Sequence, residues 1–232
     1  YSHNGVTICS QGESSVSEGY VYEAINGASL EELPVIFVIQ DNGYGISVPK
    51  ADQTANRKVA NNFAGFKNLR IIHCNGKDVF DSMNAMTEAK EWVLANQKPC
   101  IVQANCVRIH SHSNSDRHEL YRDDMELNYV SVYDPLGKFR RILKRYNRLT
   151  EDELVAIEEQ VKTEVKEAHR KGMAAPEPDP VSVLDFVLPD PYVTEKYPDG
   201  IHQTDGPKKK LIEGLNETLK AEFRINPDTY LW

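Results

Sequence analysis

Glu13, Asn42 and the turn at Gly43-Tyr44 offer oxygen ligands of the kind a hard divalent cation takes. Glu13 brings a carboxylate, Asn42 a side-chain carbonyl 29 positions later, and the turn after Asn42 main-chain carbonyls, that of Tyr44 among them. Such a set suits octahedral Mg²⁺, which fills its remaining positions with phosphate oxygens and water. Beside Glu13, the amides of Ser14 to Ser17 stand at a helix start and can bond an anion directly. A diphosphate held through Mg²⁺ is the guest that these atoms fit. A second polar stretch, Arg108 to Arg122, interleaves arginines and histidines with serines. Its cations could neutralise a diphosphate, and a histidine near its ordinary pKa can move protons.

These residues need elements that bring them to one place. Val6 to Cys9 and Val35 to Ile39 are apolar runs that read as buried strands, the first within Gly5 to Gln11. Between them lies a helical stretch with Ser17 as its expected N-cap and Glu18 in its first turn. A strand–helix–strand unit places both strand ends at one edge of a parallel sheet, where ligands bind. Leu69 to Cys74 and Pro99 to Val107 read as two further strands, with a helix between them capped by Asp78. Val79, Met83, Met86, Ala89, Val93 and Leu94 recur along that helix near helical spacing. The polar stretch leaves the last of these strands, so it reaches the same crevice. It has little apolar surface to offset the cost of ordering, so its order is expected to come from a bound diphosphate. Val48 to Asn62 reads as a loop with a short helical turn, and His73 as a strand histidine satisfied locally.

With strand and helix contexts in place, Gly12-Glu13 followed by Asn42-Gly43-Tyr44 resembles the thiamine diphosphate fingerprint of the 2-oxo acid dehydrogenases. It is most similar to the α subunit of their decarboxylating first component, of the branched-chain (2-oxoisovalerate) type, in which Glu replaces the usual Asp. The resemblance implies that Glu13, Asn42 and the Tyr44 carbonyl hold Mg²⁺ on the cofactor, with Gly12, Ser14, Ser15 and Ile46 around it. The order Arg108…His112-Ser113-Asn114-Ser115-Asp116…Tyr121-Arg122 resembles the loop of this family that orders over the cofactor. By that likeness Arg108 and His112 contact the phosphates and His112 is the catalytic candidate. Ser113 lies where mitochondrial members are phosphorylated, and Tyr121 and Arg122 hold the loop's shape. Two positions depart from the pattern. Ser14 stands where a glycine is usual, and Asp41 where an asparagine is; a carboxylate beside a diphosphate is unfavourable, so Asp41 is expected to point away.

A rival of another class starts from Glu13-Ser14-Ser15-Val16-Ser17, which imitates the D-x-S-x-S metal site of adhesion modules. That reading leaves Asn42-Gly43-Tyr44 unexplained. A pyruvate-type or transketolase-like thiamine enzyme is the alternative within the same chemistry.

The 232 residues carry a net charge of −8, which argues against a nucleic-acid partner, and no apolar run approaches membrane-spanning length. Cys9, Cys74, Cys100 and Cys106 lack C-x-x-C spacing and read as buried thiols of a reducing cytoplasm. Pro135 to Arg148 and Thr150 to Lys171 read as helices, the second opened by a capping box of Thr150 and Glu153. Its stripe of Leu154, Ile157, Val161, Val165 and Ala168 is expected to pack.

The fold expected is α/β, a three-layer parallel sheet flanked by helices, incomplete at the N-terminus, with a C-terminal linker and helix. Residues 1–171 read as the second part of a thiamine diphosphate-binding α domain. Residues 172–207, with six prolines between Pro176 and Pro198, read as a linker. In 208–232, a helix to Asn226 and a strand beginning at Asp228 resemble the opening of a β subunit, which implies a fused α–β chain. The partners implied are a β-type half, a lipoyl-bearing acyltransferase and further copies in a homo-oligomer. The glutamate that activates the cofactor is expected in the β part, so this chain alone should be inactive.

Overall fold

The computed structural model describes residues 5–185 and 208–225. The chain divides into two units, Tyr1–Glu167 and Ala168–Trp232.

In the first unit, β1 (Thr7–Gly12), α1 (Gly19–Leu30) and β2 (Val35–Asp41) form the expected strand–helix–strand unit. A small antiparallel hairpin follows, β3 (Tyr44–Gly45) with β4 (Val48–Pro49), then the short α2 (Lys50–Gln53). Next come β5 (Arg70–Cys74), α3 (Val79–Asn96) and β6 (Cys100–Asn105). The four long strands form one parallel sheet in the order β1-β2-β6-β5. Gly12 lies opposite Gln40 and Asp41 opposite Asn105, so the carboxyl ends of β1, β2 and β6 line up at one edge.

The alternation of side chains along the strands makes the layers. Phe37 and Ile39 of β2 and Ile101 of β6 meet Val21, Ile25 and Ala28 of α1, together with Val59, Ala60 and Phe63. The intervening residues, Ile36 of β2 with Cys100 and Val102 of β6, face the other way, against Ala85, Ala89 and Val93 of α3. A central sheet with helices on both faces is thus the observed architecture. Each fully buried isoleucine or phenylalanine contributes roughly 1.5–3 kcal/mol, and Phe63→Ala would cost about 3–5 kcal/mol through the void it leaves.

Several local expectations change. Ser17 does not cap α1. Residues Ser15–Ser17 form a 3-10 turn, and Glu18, in extended conformation, stands before Gly19 without a side-chain cap bond. The turn consumes the amides of Val16 and Ser17 on the carbonyls of Glu13 and Ser14. On α3, Asp78 caps as expected, accepting from Phe80 and Asp81, but Met83 and Leu94 fall on the open side and Ala85 takes the buried position. Cys74 and Cys100 are buried, whereas Cys9 is exposed because β1 is an edge strand.

Beyond β6 the chain turns helical: α4 (Asp124–Tyr129), α5 (Pro135–Arg145) and α6 (Glu151–Ala174). The capping box that opens α6 is present, with Thr150 Oγ1 accepting from the Glu153 amide at 3.3 Å and Glu153 Oε2 from the Thr150 amide at 2.8 Å. Of the expected packing stripe only Leu154 is buried; Ile157, Val161 and Val165 are exposed. The second unit contributes a 3-10 turn at Pro180–Leu184 and α7 (Leu211–Ile225). The central part of the Pro-rich stretch and the expected strand at Asp228 lie outside the described residues.

Candidate functional site

The site begins where β1 and β2 end. Glu13 follows β1 at the sheet's carboxyl edge and is 2% exposed. Its Oε2 accepts from the Asn42 amide at 3.1 Å, while Oε1 is buried with no hydrogen-bond partner among the described residues. Burial pushes the Glu13 carboxyl above its ordinary value, opposed by the Asn42 amide. An unpartnered buried acceptor of this kind is what a cation would satisfy. Asn42 Oδ1 accepts from the Tyr44 amide at 3.1 Å, an Asx turn that fixes the chain after β2. Gly43 completes the turn at φ +87, where a Cβ would be strained. Glu13, Asn42 and Tyr44 are therefore brought together.

The Asp41 carboxylate is spent within the protein. It is 1% exposed and is paired with Lys50 at 2.7 Å, and it accepts from Gln103 Nε2 at 2.6 Å. Gln103 Oε1 in turn accepts from the Ala60 amide at 2.9 Å. Sequence reasoning missed Gln103 and Lys50. The signal for Gln103 was a lone amide inside the apolar run Cys100-Ile101-Val102-Gln103-Ala104.

The departure at Ser14 has a structural reason. Ser14 Oγ donates to Gln53 Oε1 at 3.0 Å, and Gln53 Nε2 donates to the Ser14 carbonyl at 2.9 Å. The hydroxyl also fills the space over Gly45, where a Cβ would come within 2.3 Å of it. Ser14, Ser15, Gly45 and Ile46 line an open cavity of about 370 Å³. A Cβ at Gly12 would meet nothing within 4 Å, so packing within the chain does not require glycine there. Ile46 has φ +58, a left-handed conformation that is costly for a β-branched residue.

The polar segment after β6 meets this turn. The Cys106 amide donates to the Asp41 carbonyl at 2.7 Å, anchoring the segment's start to the end of β2. Arg108 Nη1 donates to the Ile46 carbonyl at 2.8 Å and Nη2 to the Tyr121 hydroxyl at 2.5 Å, while Nε is buried without a partner among the described residues. The guanidinium lies 5.5 Å and 5.6 Å from the ring centroids of Tyr44 and Tyr121. Tyr121 donates to Asp116 Oδ2 at 2.6 Å, and the His112 amide donates to the same oxygen at 2.7 Å. These bonds hold the Asp116 carboxyl below its usual range, the Tyr121 bond first.

Arg122 is the buried member, 4% exposed, with Nη1 donating to the Arg108 carbonyl at 2.8 Å. Tyr121 and Arg122 do hold the loop, and so do Asp116 and Glu126, which sequence reasoning did not name. The protein itself thus supplies part of the ordering energy that was assigned to a bound diphosphate. The His112 ring is exposed and makes no hydrogen bond among the described residues. His73 is satisfied locally by Asn61 at 3.1 Å.

The dehydrogenase E1 component family covers residues 2–181. The chain belongs to it. Among the relatives of this E1 chain are the mitochondrial pyruvate dehydrogenase E1 component subunit alpha of Dictyostelium discoideum, 35% identical over 174 residues. The mitochondrial 2-oxoisovalerate dehydrogenase subunit alpha of Homo sapiens is 34% identical over 178 residues, and the pyruvate dehydrogenase E1 component subunit alpha of Zymomonas mobilis 36% over 168. These alignments cover 75%, 76% and 72% of the chain but 45%, 40% and 47% of the relatives, so the chain spans less than half of their length. The match places the chain in the dehydrogenase E1 component family, beside relatives named as α subunits, and leaves the adhesion-module reading without support.

Proposed function

We propose that this E1 chain anchors Mg²⁺ and the diphosphate of thiamine diphosphate for the oxidative decarboxylation of a 2-oxo acid, whose acyl group passes to a lipoyl-bearing acyltransferase. The observation that carries the reading is the buried, unpartnered Glu13 Oε1 beside Asn42. In this reading Glu13, Asn42 Oδ1 and the Tyr44 carbonyl hold the ion. Gly12 leaves room for close approach, while Ser14, Ser15 and Ile46 shape the neighbouring wall. When bound, thiamine diphosphate supplies the nucleophilic carbon and electron sink that decarboxylation of a 2-oxo acid needs.

The chain's own residues do the binding. The amides of Ser14 and Ser15, which have no partner among the described residues, are the donors left for an anion once Val16 and Ser17 are spent in the 3-10 turn. Arg108 Nε, buried and unpartnered, is a further donor. In this reading His112, exposed on the loop, is the residue that would hold or release a proton at a phosphate. A branched-chain 2-oxo acid is the substrate proposed, on the strength of Glu13 at the acidic position. Pyruvate is the second reading, favoured by the relatives named for it in Dictyostelium discoideum and Zymomonas mobilis.

Residues 208–232 read as the opening of a β-type domain, and a β-type half, on this chain or another, completes the catalytic centre. The chain alone is then inactive, and the assembly contains further copies of it. Cysteines without disulfide partners support a reducing, cytoplasmic setting. The test is calorimetry of Mg²⁺–thiamine diphosphate on the α–β assembly. Glu13→Ala should lose measurable affinity, and an unchanged affinity would refute the assignment.

A further inference from the structure

A buried cation needs a buried or well-placed anion, and Arg122 finds it one helical turn on. Its side chain is 1% exposed, and Glu126 Oε1 accepts from both Nε at 3.0 Å and Nη2 at 2.8 Å. The second oxygen of Glu126 is used elsewhere: Oε2 accepts from the Tyr44 hydroxyl at 2.8 Å. One carboxylate thus joins the loop's buried arginine to the turn after β2. The Tyr44 ring is also flanked by the guanidinium groups of Arg108 and Arg122, at 5.5 Å and 5.4 Å from its centroid. At its other end, Tyr44 is tied by its amide to Asn42 Oδ1 at 3.1 Å. The orientation of this peptide is therefore fixed from the side chain by Glu126 and from the main chain by Asn42.

We propose that Glu126 is a positioning residue for the metal–diphosphate site. It touches neither ion nor cofactor in this reading. It holds Tyr44 so that the main-chain carbonyl of that residue stays aimed at the ion, and it makes that aim depend on Arg122 and hence on the loop. The inference rests on the proposed roles of Glu13, Asn42 and the Tyr44 carbonyl. A partner needed only to neutralise Arg122 would leave Tyr44 free of the matter; the Oε2 bond is what distinguishes the two roles.

The experiment uses the full α–β assembly and Mn²⁺ as the probe, its affinity in the presence of thiamine diphosphate read by electron paramagnetic resonance. Glu126→Gln, Tyr44→Phe, the double variant and Glu13→Ala are compared, with thermal midpoints as a fold control. Tyr44→Phe keeps the carbonyl and removes only the hydroxyl. Each single substitution should weaken Mn²⁺ binding about tenfold or more, as loss of an outer-sphere partner does. The double variant should bind no more weakly than the worse single one, because both cut the same link. Wild-type affinity in Tyr44→Phe, or a double loss equal to the product of the two single losses, overturns the proposal while Glu13→Ala still abolishes binding. If Glu126→Gln fails to fold, Tyr44→Phe decides alone. Wild-type affinity in Glu13→Ala instead overturns the metal-site reading and this inference with it.

Discussion

The Asn42 amide donates to Glu13 Oε2 at 3.1 Å, a bond across the neighbouring ends of two parallel strands that leaves Glu13 Oε1 free. The carboxylate is held in place before any ion arrives, and the protein bears the cost of desolvating it.

That cost is visible through pH. Burial raises the Glu13 carboxyl above its ordinary 4.5, so the native state holds this proton more tightly than the unfolded chain. The stabilisation is complete below the unfolded value and is lost as pH rises through the raised native one. In metal-free protein, Glu13→Gln should remove that loss. Its urea midpoint should exceed wild type at neutral pH and converge with it in acid. Parallel curves at every pH would show that Glu13 carries no such burden.

Gly45 and Ser14 should behave as a pair. Gly45→Ala drives a methyl to within 2.3 Å of Ser14 Oγ and should destabilise by about 1–3 kcal/mol. Adding Ser14→Gly should restore most of that loss despite breaking the bond to Gln53. Thermal unfolding of the three variants checks this, and strict additivity would count against it.

Gln103 bridges two buried groups, the Ala60 amide and Asp41. Gln103→Leu leaves both short of a partner and should cost about 2 kcal/mol or more. Urea unfolding gives the number. A loss below about 0.5 kcal/mol would show that water replaces both bonds.

Ile46 sits at φ +58 with its carbonyl accepting from Arg108. Ile46→Asn, which tolerates that conformation, should stabilise the metal-free protein by about 0.5–1 kcal/mol. If the strained residue serves the cofactor wall, the same variant should bind Mg²⁺–thiamine diphosphate more weakly. Paired melting and calorimetry test both arms.

The parts legible in sequence were those set by local rules. Asp78 and the Thr150–Glu153 box are written in residue type and spacing, and both caps formed. The unbroken apolar run Val35 to Ile39 reads as a buried strand, and the alternation of strands with helices announced the parallel sheet. Ser17 failed as a cap because it lies inside the 3-10 turn Ser15–Ser17, which leaves Glu18 as the extended residue in front of α1. Glu126 and Gln103 were missed because their meaning lies in partners 82 and 62 positions distant, Tyr44 and Asp41. No spacing rule reaches that far. The exposure of Ile157, Val161 and Val165 was equally hidden, since an amphipathic stripe states that a face is apolar and does not name what covers it.

The position of β1 at the margin of the sheet has a practical side. Among the described residues its outer backbone groups have no neighbouring strand, and Ile8 and Cys9 are turned to solvent. A row of unused amides and carbonyls beside an apolar side chain is a template for strand addition by any extended segment nearby. Handled by itself at high concentration, this polypeptide should therefore self-associate through β1. A lysine at position 8 is the substitution to try first for a well-behaved sample, because a charge on an exposed margin repels an incoming strand without touching the buried layers.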